Sequence, residues 1–210
     1  MLAELALAHV AMVSDALDRL GLRDQVLAPG LTPLGASRIA GRAFPIQVRS
    51  TGHVPEQPYT GEMSALESLT PGEVLVYGGD ATAAALFGEL FAHAAAARGA
   101  VGAVVDGFIR DCQQLQEVGF PVFYRGVSPL DTLGRAEVVD FGDQTVCAGV
   151  RVRRGDYVFA DVDGIAIVPA DVVGQVAEAI PAKRRDEQGA RADIRAGAAI
   201  RDVWDRWQAF

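Results

Sequence analysis

The spacing of apolar and polar residues predicts alternating helices and strands in the first two thirds of the chain. Residues 2–20 have helical spacing that stops at Gly21, and residues 43–50 alternate as a half-buried strand in which Pro45 suggests an edge or a bulge. Further strands are predicted at residues 73–77, 101–106 and 121–124, and further helices at 60–69, 81–97 and 111–118.

The order of these elements indicates the fold class. From residue 73 to residue 124 strands and helices alternate with short connections, which favours an α/β layer with parallel strands. Four short strands then follow, at residues 136–141, 146–153, 157–160 and 165–168, and a helix is predicted over residues 170–195. We therefore predict one α/β domain that spans residues 1–210 and carries a C-terminal helical arm.

Composition narrows the possible partners. The 210 residues include 19 basic and 27 acidic side chains, for a net charge of −8, and such a surface repels the phosphates of nucleic acids. No apolar run approaches the roughly 20 residues of a membrane span, and the N-terminus lacks the pattern of a secretion signal. We expect a cytoplasmic protein without nucleic-acid or membrane partners, and we expect Cys112 and Cys147 to be buried free thiols.

The basic residues also bear on catalysis. Of the 19 basic side chains only Lys183 is a lysine, and it lies in a charged run that is typical of a solvated helix face. Imine chemistry needs a lysine that loses its proton easily, so this composition disfavours it. With three histidines in the chain, a zinc site built from three histidine ligands is also difficult to form.

Two short segments near the centre of the chain are candidates for a ligand site. Gly88 interrupts an alanine-rich helical stretch, where it could begin a new helix with free backbone N–H groups for a carboxylate, or could simply allow close helix packing. Arg110 and Asp111 follow a predicted strand. They offer a guanidinium fork and a hard oxygen ligand, although a dipeptide of this kind is more often a surface ion pair.

These segments resemble the RraA-like family, which includes class II 4-hydroxy-4-methyl-2-oxoglutarate aldolases and regulators of ribonuclease activity. The resemblance is strongest at residues 88–91 (Gly-Glu-Leu-Phe), 98–99 (Arg-Gly) and 102–111 (Gly-Ala-Val-Val-Asp-Gly-Phe-Ile-Arg-Asp). Other landmarks occur in family order at residues 14–18, 39–44, 119–123 and 155–161. The resemblance extends over roughly residues 13–200.

The resemblance implies a fold and an activity. The family fold is an αββαββ-type sandwich of the swivelling β/β/α kind, assembled as homotrimers or as hexamers of two trimers. The implied activity is a metal-dependent retro-aldol cleavage of 2-keto acids of the 4-hydroxy-4-methyl-2-oxoglutarate type to pyruvate. Oxaloacetate would be decarboxylated through the same pyruvate enolate.

The resemblance also implies roles for individual residues. The family's aldolase signature is an acid, twenty residues and then Arg-Asp, and here the twenty residues 90–109 separate Glu89 from Arg110 and Asp111. By this resemblance Asp111 binds Mg²⁺ or Mn²⁺, Glu89 acts as the base and Glu187 reaches the site of a neighbouring subunit. The groups implied to hold the pyruvyl part are Arg110 and the amides of Gly88, Glu89, Leu90 and Phe91.

Two other functions remain open from the sequence. One is a non-catalytic regulator of ribonuclease activity that acts by protein binding. That branch of the family typically lacks the aspartate after the arginine, whereas this chain has Asp111. The other is a phosphohistidine-type swivelling domain, for which His53 in a proline-rich loop is a poor reactive histidine.

Overall fold

A twisted sheet organises the protein, as seen in a computed structural model that describes residues 5, 8–35 and 38–209. Its strands follow the order β1-β6-β5-β3-β2-β10-β11, β4 pairs with β5, β7 pairs with β2, and β8 and β9 form a separate hairpin. The strands are β1 (Thr32–Leu34), β2 (Ile39–Ser50), β3 (Glu73–Gly79), β4 (Ala85–Phe87), β5 (Gly102–Ile109), β6 (Val122–Val127), β7 (Ala136–Phe141), β8 (Gln144–Cys147), β9 (Val150–Arg153), β10 (Tyr157–Asp161) and β11 (Gly164–Val168).

Helices cover the sheet and extend beyond it. They are α1 (Val10–Arg19), α2 (Thr60–Glu67), α3 (Glu89–Ala97), α4 (Cys112–Val118), α5 (Val173–Arg195) and α6 (Ile200–Trp207). The predicted helix over residues 2–20 is confirmed from Val10 onward, whereas residues 1–4, 6 and 7 lie outside the described part. None of the helices within the described residues has the length and apolar character that a membrane crossing requires.

The predicted parallel layer is confirmed, and its central strand β3 is buried on both faces. β2, β3, β5 and β6 are parallel neighbours. Leu75 and Tyr77 of β3 pack in the cluster that contains α2, α3 and α4, while Val74 and Val76 pack in the cluster that contains the β8–β9 hairpin. Burial on both faces is what gives parallel strands their nearly continuous apolar runs.

Pro45 lies in a central strand and not at an edge. On one side residues Arg42 to Val48 of β2 pair with β3. On the other side β10 pairs with residues Ile39 to Arg42 and β7 pairs with residues Ile46 to Ser50, so Pro45 falls in the gap between these two partners. A proline that lacks an N–H is tolerated there because no ladder hydrogen bond is required from it.

Several predicted ends of helices and strands are wrong where the chain contains a glycine. Residues 81–97 are not one helix, since β4 ends at Phe87 and α3 starts at Glu89 with Gly88 as its N-cap. β5 continues to Ile109, beyond the predicted end at residue 106, and Asp106 within it bonds to Arg125 and to the amide of Ala148. The strand predicted at residues 146–153 is a hairpin that turns at Ala148 and Gly149, both with positive φ.

The C-terminal arm is an antiparallel helix pair. α5 packs on α1, and α6 returns along α5, where the Trp207 indole N–H donates to Asp193 Oδ2 at 2.8 Å. Lys183 corrects the expectation of a solvated face: its side chain is 5% exposed, and Nζ lies 2.6 Å from Asp15 Oδ2 and 3.6 Å from Glu187 Oε1. The lysine therefore joins α5 to α1 as part of the framework.

Candidate functional site

Two parallel strands end side by side and place the two candidate segments together. Phe87, the last residue of β4, is in register with Ile109, the last residue of β5. The residue after β5 continues the contact, because the Arg110 N–H donates to the Phe87 carbonyl at 3.0 Å. Ligands of open α/β sheets bind at such carboxyl ends. Gly88 therefore meets the Arg110–Asp111 pair at this edge.

Gly88 combines the two interpretations that its position in the sequence left open. It begins α3, and the Glu89 N–H in the first turn of that helix donates to Asp111 Oδ2 at 3.3 Å. It also allows a close approach, since a Cβ at residue 88 would lie 2.6 Å from Asp111 Oδ2 and 3.2 Å from Arg110 Cγ. Because residue 88 has no side chain, the Asp111 carboxylate can lie against its backbone.

The Arg110 guanidinium is held between two carboxylates. Its Nη1 lies 3.0 Å from Asp131 Oδ2, and its Nε lies 3.7 Å from Asp111 Oδ2. An arginine fixed in this way presents its remaining N–H groups in a defined direction, which suits recognition of a planar carboxylate or 2-keto acid.

Asp131, the partner of Arg110, is itself held in place by hydrogen bonds. Its Oδ1 accepts from the Tyr59 hydroxyl at 3.1 Å and from the Leu133 amide at 3.0 Å. Desolvation acts to raise the pKa of Asp131, but the bonds from Leu133, Arg110 and Tyr59 outweigh it and hold this pKa below its ordinary value. Desolvation, together with the hydrogen bond to Asp131, raises the pKa of Tyr59, so the phenol stays protonated as the donor.

Sequence reasoning did not identify Tyr59 and Asp131. They stand 72 residues apart, and each lies in a segment with no recognisable ligand motif. Only the fold brings them to Arg110. The sequence offers one weak signal, which is the Pro58-Tyr59 step before a predicted helix, and that step is typical of a helix start and does not indicate a site.

Backbone strain is concentrated at the same place. Tyr59 and Asp111 precede α2 and α4 with φ values of 61° and 58°, in the left-handed region that bulky residues avoid. Aspartate tolerates this conformation better than tyrosine. Such strain amounts to roughly 1–3 kcal/mol per residue and is found preferentially at functional sites. Here it directs a phenol and a carboxylate toward one cavity.

A cavity of about 300 Å³ opens between these groups. The residues that line it come from four segments of the chain and combine a few polar groups with apolar walls. They are Tyr59, Met63, Ala85, Phe87, Gly88, Leu90, Phe91, Arg110, Asp111, Asp131 and Thr132. A second cavity, of about 400 Å³, adjoins the same pair and is lined by Ile109, Arg110, Asp111, Cys112, Val127, Ser128 and Pro129. Both are large enough for a small organic acid.

The donor groups present fit magnesium better than a transition metal. No group of three or more histidine, cysteine, aspartate or glutamate side chains suited to a metal ion occurs in the part of the chain that the structure describes. The Asp111 side chain is 41% exposed at the cavity, and both its hydrogen bond and its ion pair engage Oδ2. Mg²⁺ commonly takes one or two carboxylates and completes its shell with water and substrate oxygens.

The other predicted site residues are placed as follows. The backbone of Glu89 belongs to the site, but its carboxylate lies 3.1 Å from His93 Nε2 one helical turn away and is not among the groups that line either cavity. Leu90 and Phe91 line the first cavity.

Glu187 lies on α5, between Lys183 and Arg191, and its implied role toward a neighbouring subunit stays a prediction. His53 bonds to Thr51 and does not line the cavities around Arg110.

Comparison with known proteins gives a consistent result. A family profile described as RraA-like (Aldolase/RraA) matches residues 10–167. A Halalkalibacterium halodurans protein with the provisional name 4-hydroxy-4-methyl-2-oxoglutarate aldolase is 31% identical over 182 residues, which are 84% of this chain and 80% of that protein. Protein DlpA of Legionella pneumophila is 26% identical over 95% of this chain, which spans 32% of that longer protein.

Solved structures share the fold. Streptomyces coelicolor RraAS2, described as an unusual member of the RNase ES inhibitor RraA protein family, has a TM-score of 0.79 and 25% sequence identity to this chain. The superposition covers 90% of this chain and 94% of that chain. The mixed α/β single-domain fold predicted from the sequence is thereby confirmed.

The lowered pKa of Asp131 leads to a prediction about stability. Because its carboxyl is more acidic in the folded chain than in the unfolded chain, ionised Asp131 stabilises the fold above the ordinary value of 3.8, and this stabilisation is lost as the pH falls through the folded-state pKa. The side chain is 36% exposed, so solvent screening keeps the effect small. We expect Asp131→Asn to lower the free energy of unfolding by about 0.5 kcal/mol at pH 7.

Urea unfolding of both proteins across the pH range tests this expectation. The difference between the wild type and Asp131→Asn should shrink below roughly pH 4 and vanish near pH 2. Asp24→Asn, a change at an exposed surface residue, is the control and should show no comparable pattern. A difference that stays constant down to pH 2 would contradict the assignment of Asp131 as a carboxylate held ionised by its neighbours.

Proposed function

The chain belongs to the RraA-like family, and from this premise we propose that it is a lyase that cleaves 2-keto acids of the 4-hydroxy-4-methyl-2-oxoglutarate type to pyruvate with a divalent metal ion. Oxaloacetate decarboxylation would proceed at the same site through the same pyruvate enolate. The observation that carries the proposal is the meeting of Gly88, Arg110 and the exposed Asp111 carboxylate at the ends of two parallel strands.

The side chains present can bind and orient a 2-keto acid. The N–H groups at the start of α3 and the Arg110 fork are donors for the substrate carboxylate. Asp111 would hold Mg²⁺ or Mn²⁺, which when bound supplies Lewis-acid polarisation of the 2-keto group. Asp131 fixes the Arg110 guanidinium, so that its positive charge stays where oxygen charge develops as the enolate forms.

Retro-aldol cleavage also requires a proton acceptor. As the C3–C4 bond breaks, the C4 hydroxyl loses its proton and becomes a carbonyl, and the bond's electron pair becomes the enolate, which is later protonated at C3 to give pyruvate. Glu89 is our candidate for the base, acting through water. His93, 3.1 Å from the Glu89 carboxylate, is placed to orient it. Oxaloacetate loses CO₂ instead and needs no such base.

Assembly is part of the proposal. We propose that the chain forms homotrimers or hexamers in which Glu187 of a neighbouring subunit completes the site. A second candidate function is a non-catalytic regulator of ribonuclease activity, favoured by the likeness to Streptomyces coelicolor RraAS2. The two candidates differ in whether the protein turns over a 2-keto acid.

Metal-dependent pyruvate release tests the proposed function directly. In an assay coupled to lactate dehydrogenase, the wild type should release pyruvate from 4-hydroxy-4-methyl-2-oxoglutarate, lose activity in EDTA and recover it with Mg²⁺ or Mn²⁺. Asp111→Ala should lower kcat/KM by roughly 1,000-fold, because it removes the carboxylate that we propose holds the metal ion. Asp24→Ala at the surface is the control and should keep full activity.

Each contradictory result has a separate meaning. Full turnover by Asp111→Ala or in EDTA would remove the metal from the proposal. Absence of pyruvate release from every 4-hydroxy-2-keto acid and from oxaloacetate would leave the regulator as the better candidate.

Gly88→Ala tests the close approach at the start of α3. The added methyl group would collide with the Asp111 carboxylate and the Arg110 side chain, which can move away without distorting the backbone. We therefore expect kcat/KM to fall on the order of 100-fold while Tm changes little. Gly174→Ala in α5 is the matched control, since a Cβ at Gly174 meets nothing within 4 Å. Normal activity of Gly88→Ala would show that the close contact is not needed.

A further inference from the structure

We propose that Tyr59 is a positioning residue for Arg110: its hydroxyl holds the Asp131 carboxylate, which in turn fixes the direction in which the guanidinium meets the ligand. The inference rests on the proposed function, because that function gives Arg110 the task of binding the carboxylate of a 2-keto acid. The contacts that carry it lie within one chain, so they do not depend on the groups that a neighbouring subunit adds at the cavity.

The two carboxylate oxygens of Asp131 have separate partners. Oδ2 faces Arg110, whose Nη1 lies 3.0 Å away, while Oδ1 accepts from the Tyr59 hydroxyl at 3.1 Å and from the Leu133 amide at 3.0 Å. The Thr132 hydroxyl also lies 3.3 Å from Oδ1. The torsion of an aspartate carboxylate is intrinsically broad, so the bonds to Oδ1 are what keep Oδ2 directed at the guanidinium.

Tyr59 contributes a bond that connects two separate segments of the chain. Leu133 and Thr132 belong to the same loop as Asp131, between β6 and β7, and move with it. Among the described residues, the partners of this carboxylate from elsewhere in the chain are Tyr59 and Arg110. The phenol therefore anchors the carboxylate to the start of α2, independently of the guanidinium that the carboxylate has to hold.

Arg110 needs this support because its contact with the other carboxylate is weak. Its Nε lies 3.7 Å from Asp111 Oδ2, which is longer than a hydrogen bond. When Asp111 holds a metal ion, as we propose, its negative charge is also shared with that ion. Asp131 is then the main partner that determines where the guanidinium lies, and the side chain that orients Asp131 acts on Arg110 through it.

The backbone of Tyr59 gives an independent indication. The residue precedes α2 with φ 61° and ψ 15°, a left-handed conformation that is unfavourable for a bulky side chain. Its side chain makes no hydrogen bond that caps the helix, so capping does not offset the strain. Glycine or asparagine would suit this helix start better. The feature that a tyrosine adds here is the contact of its hydroxyl with Asp131 at the wall of the first cavity.

Side-chain NMR of Arg110 tests the inference without any turnover. In the full-length protein carrying isotope-labelled arginine, the Nε–H signal of Arg110 is identified by its loss in Arg110→Lys, and its heteronuclear NOE reports how rigidly the guanidinium is held. Tyr59→Phe keeps the ring and removes only a neutral donor. We expect it to lower this NOE, and Asp131→Asn to lower it at least as far, while the backbone N–H signal of Arg110 is unchanged.

Tyr157→Phe is the matched control for the loss of a phenol hydroxyl. Tyr157 lies in β10, stacks on Phe159 and lines neither cavity around Arg110, so this variant should keep the wild-type NOE. A wild-type NOE in Tyr59→Phe would overturn the inference, because the guanidinium would then be held without the phenol. Equal losses in Tyr59→Phe and Tyr157→Phe would overturn it as well, because the effect would not depend on the contact with Asp131.

A double-mutant cycle in the pyruvate assay distinguishes positioning from direct contact with the substrate. We expect Tyr59→Phe to lower kcat/KM by roughly tenfold, about the effect of losing one hydrogen bond to a charged group. In the Asp131→Asn background the same change should cost less than about twofold, because the hydroxyl acts through a carboxylate that is already absent. Equal losses in both backgrounds would show that Tyr59 acts on the substrate itself, and the positioning role would be wrong.

The two measurements separate failure of this inference from failure of the proposed function. If the wild type releases no pyruvate but Tyr59→Phe loosens the Arg110 guanidinium, the function is rejected and the linkage from Tyr59 through Asp131 stands. If pyruvate is released and Tyr59→Phe changes neither the Arg110 NOE nor kcat/KM, the function stands and the positioning role is rejected.

Discussion

The parallel pairing of β4 with β5 is the constraint on which the site depends. Because Phe87 and Ile109 are in register, the two strands end at the same level, and the following residues are forced into contact. A Cβ at Gly88 would lie 2.6 Å from Asp111 Oδ2, so the close approach of these two residues depends on the absence of a side chain at residue 88. The amides of α3, the guanidinium and the carboxylate are thereby assembled by strand geometry and need no long-range rearrangement.

Electrostatics then defines what the site can accept. Arg110 lies between Asp111 and Asp131, and Tyr59 and Leu133 keep Asp131 ionised by donating hydrogen bonds to it. This arrangement fixes the direction of one positive charge while leaving the surroundings acidic. A cation at Asp111 would offset this acidic character and leave the Arg110 guanidinium available to a ligand carboxylate.

The sequence predicts the parallel layer and the Arg110–Asp111 pair because both have local signatures, namely apolar strands between helices and a dipeptide at a strand end. Prediction from the sequence fails where contacts with other parts of the fold determine the structure of a segment. β4 is three residues long inside an alanine-rich segment, so helical propensity conceals it. Pro45 suggests an edge or a bulge, because the change of partner beside β2 cannot be seen in one segment.

The missed parts of the site and of the framework have the same origin. Tyr59 and Asp131 reach Arg110 only through the fold, and the contacts of Lys183 with Asp15 and Glu187 turn an apparently solvated lysine into a buried one. In each case the decisive partner is remote in the sequence or lies on another element. Periodicity and motif spacing describe only neighbours along the chain, so they carry no information about these contacts.

The most direct test of the account is a crystal structure of the wild-type protein soaked with Mn²⁺ and pyruvate. The anomalous signal of manganese locates the ion without reference to any assumed mechanism. We predict Mn²⁺ bound to the Asp111 carboxylate, with the pyruvate carboxylate against the first turn of α3 and Arg110. Manganese bound elsewhere, or pyruvate seated in the cavity with Asp111 turned away from it, would contradict the central claim.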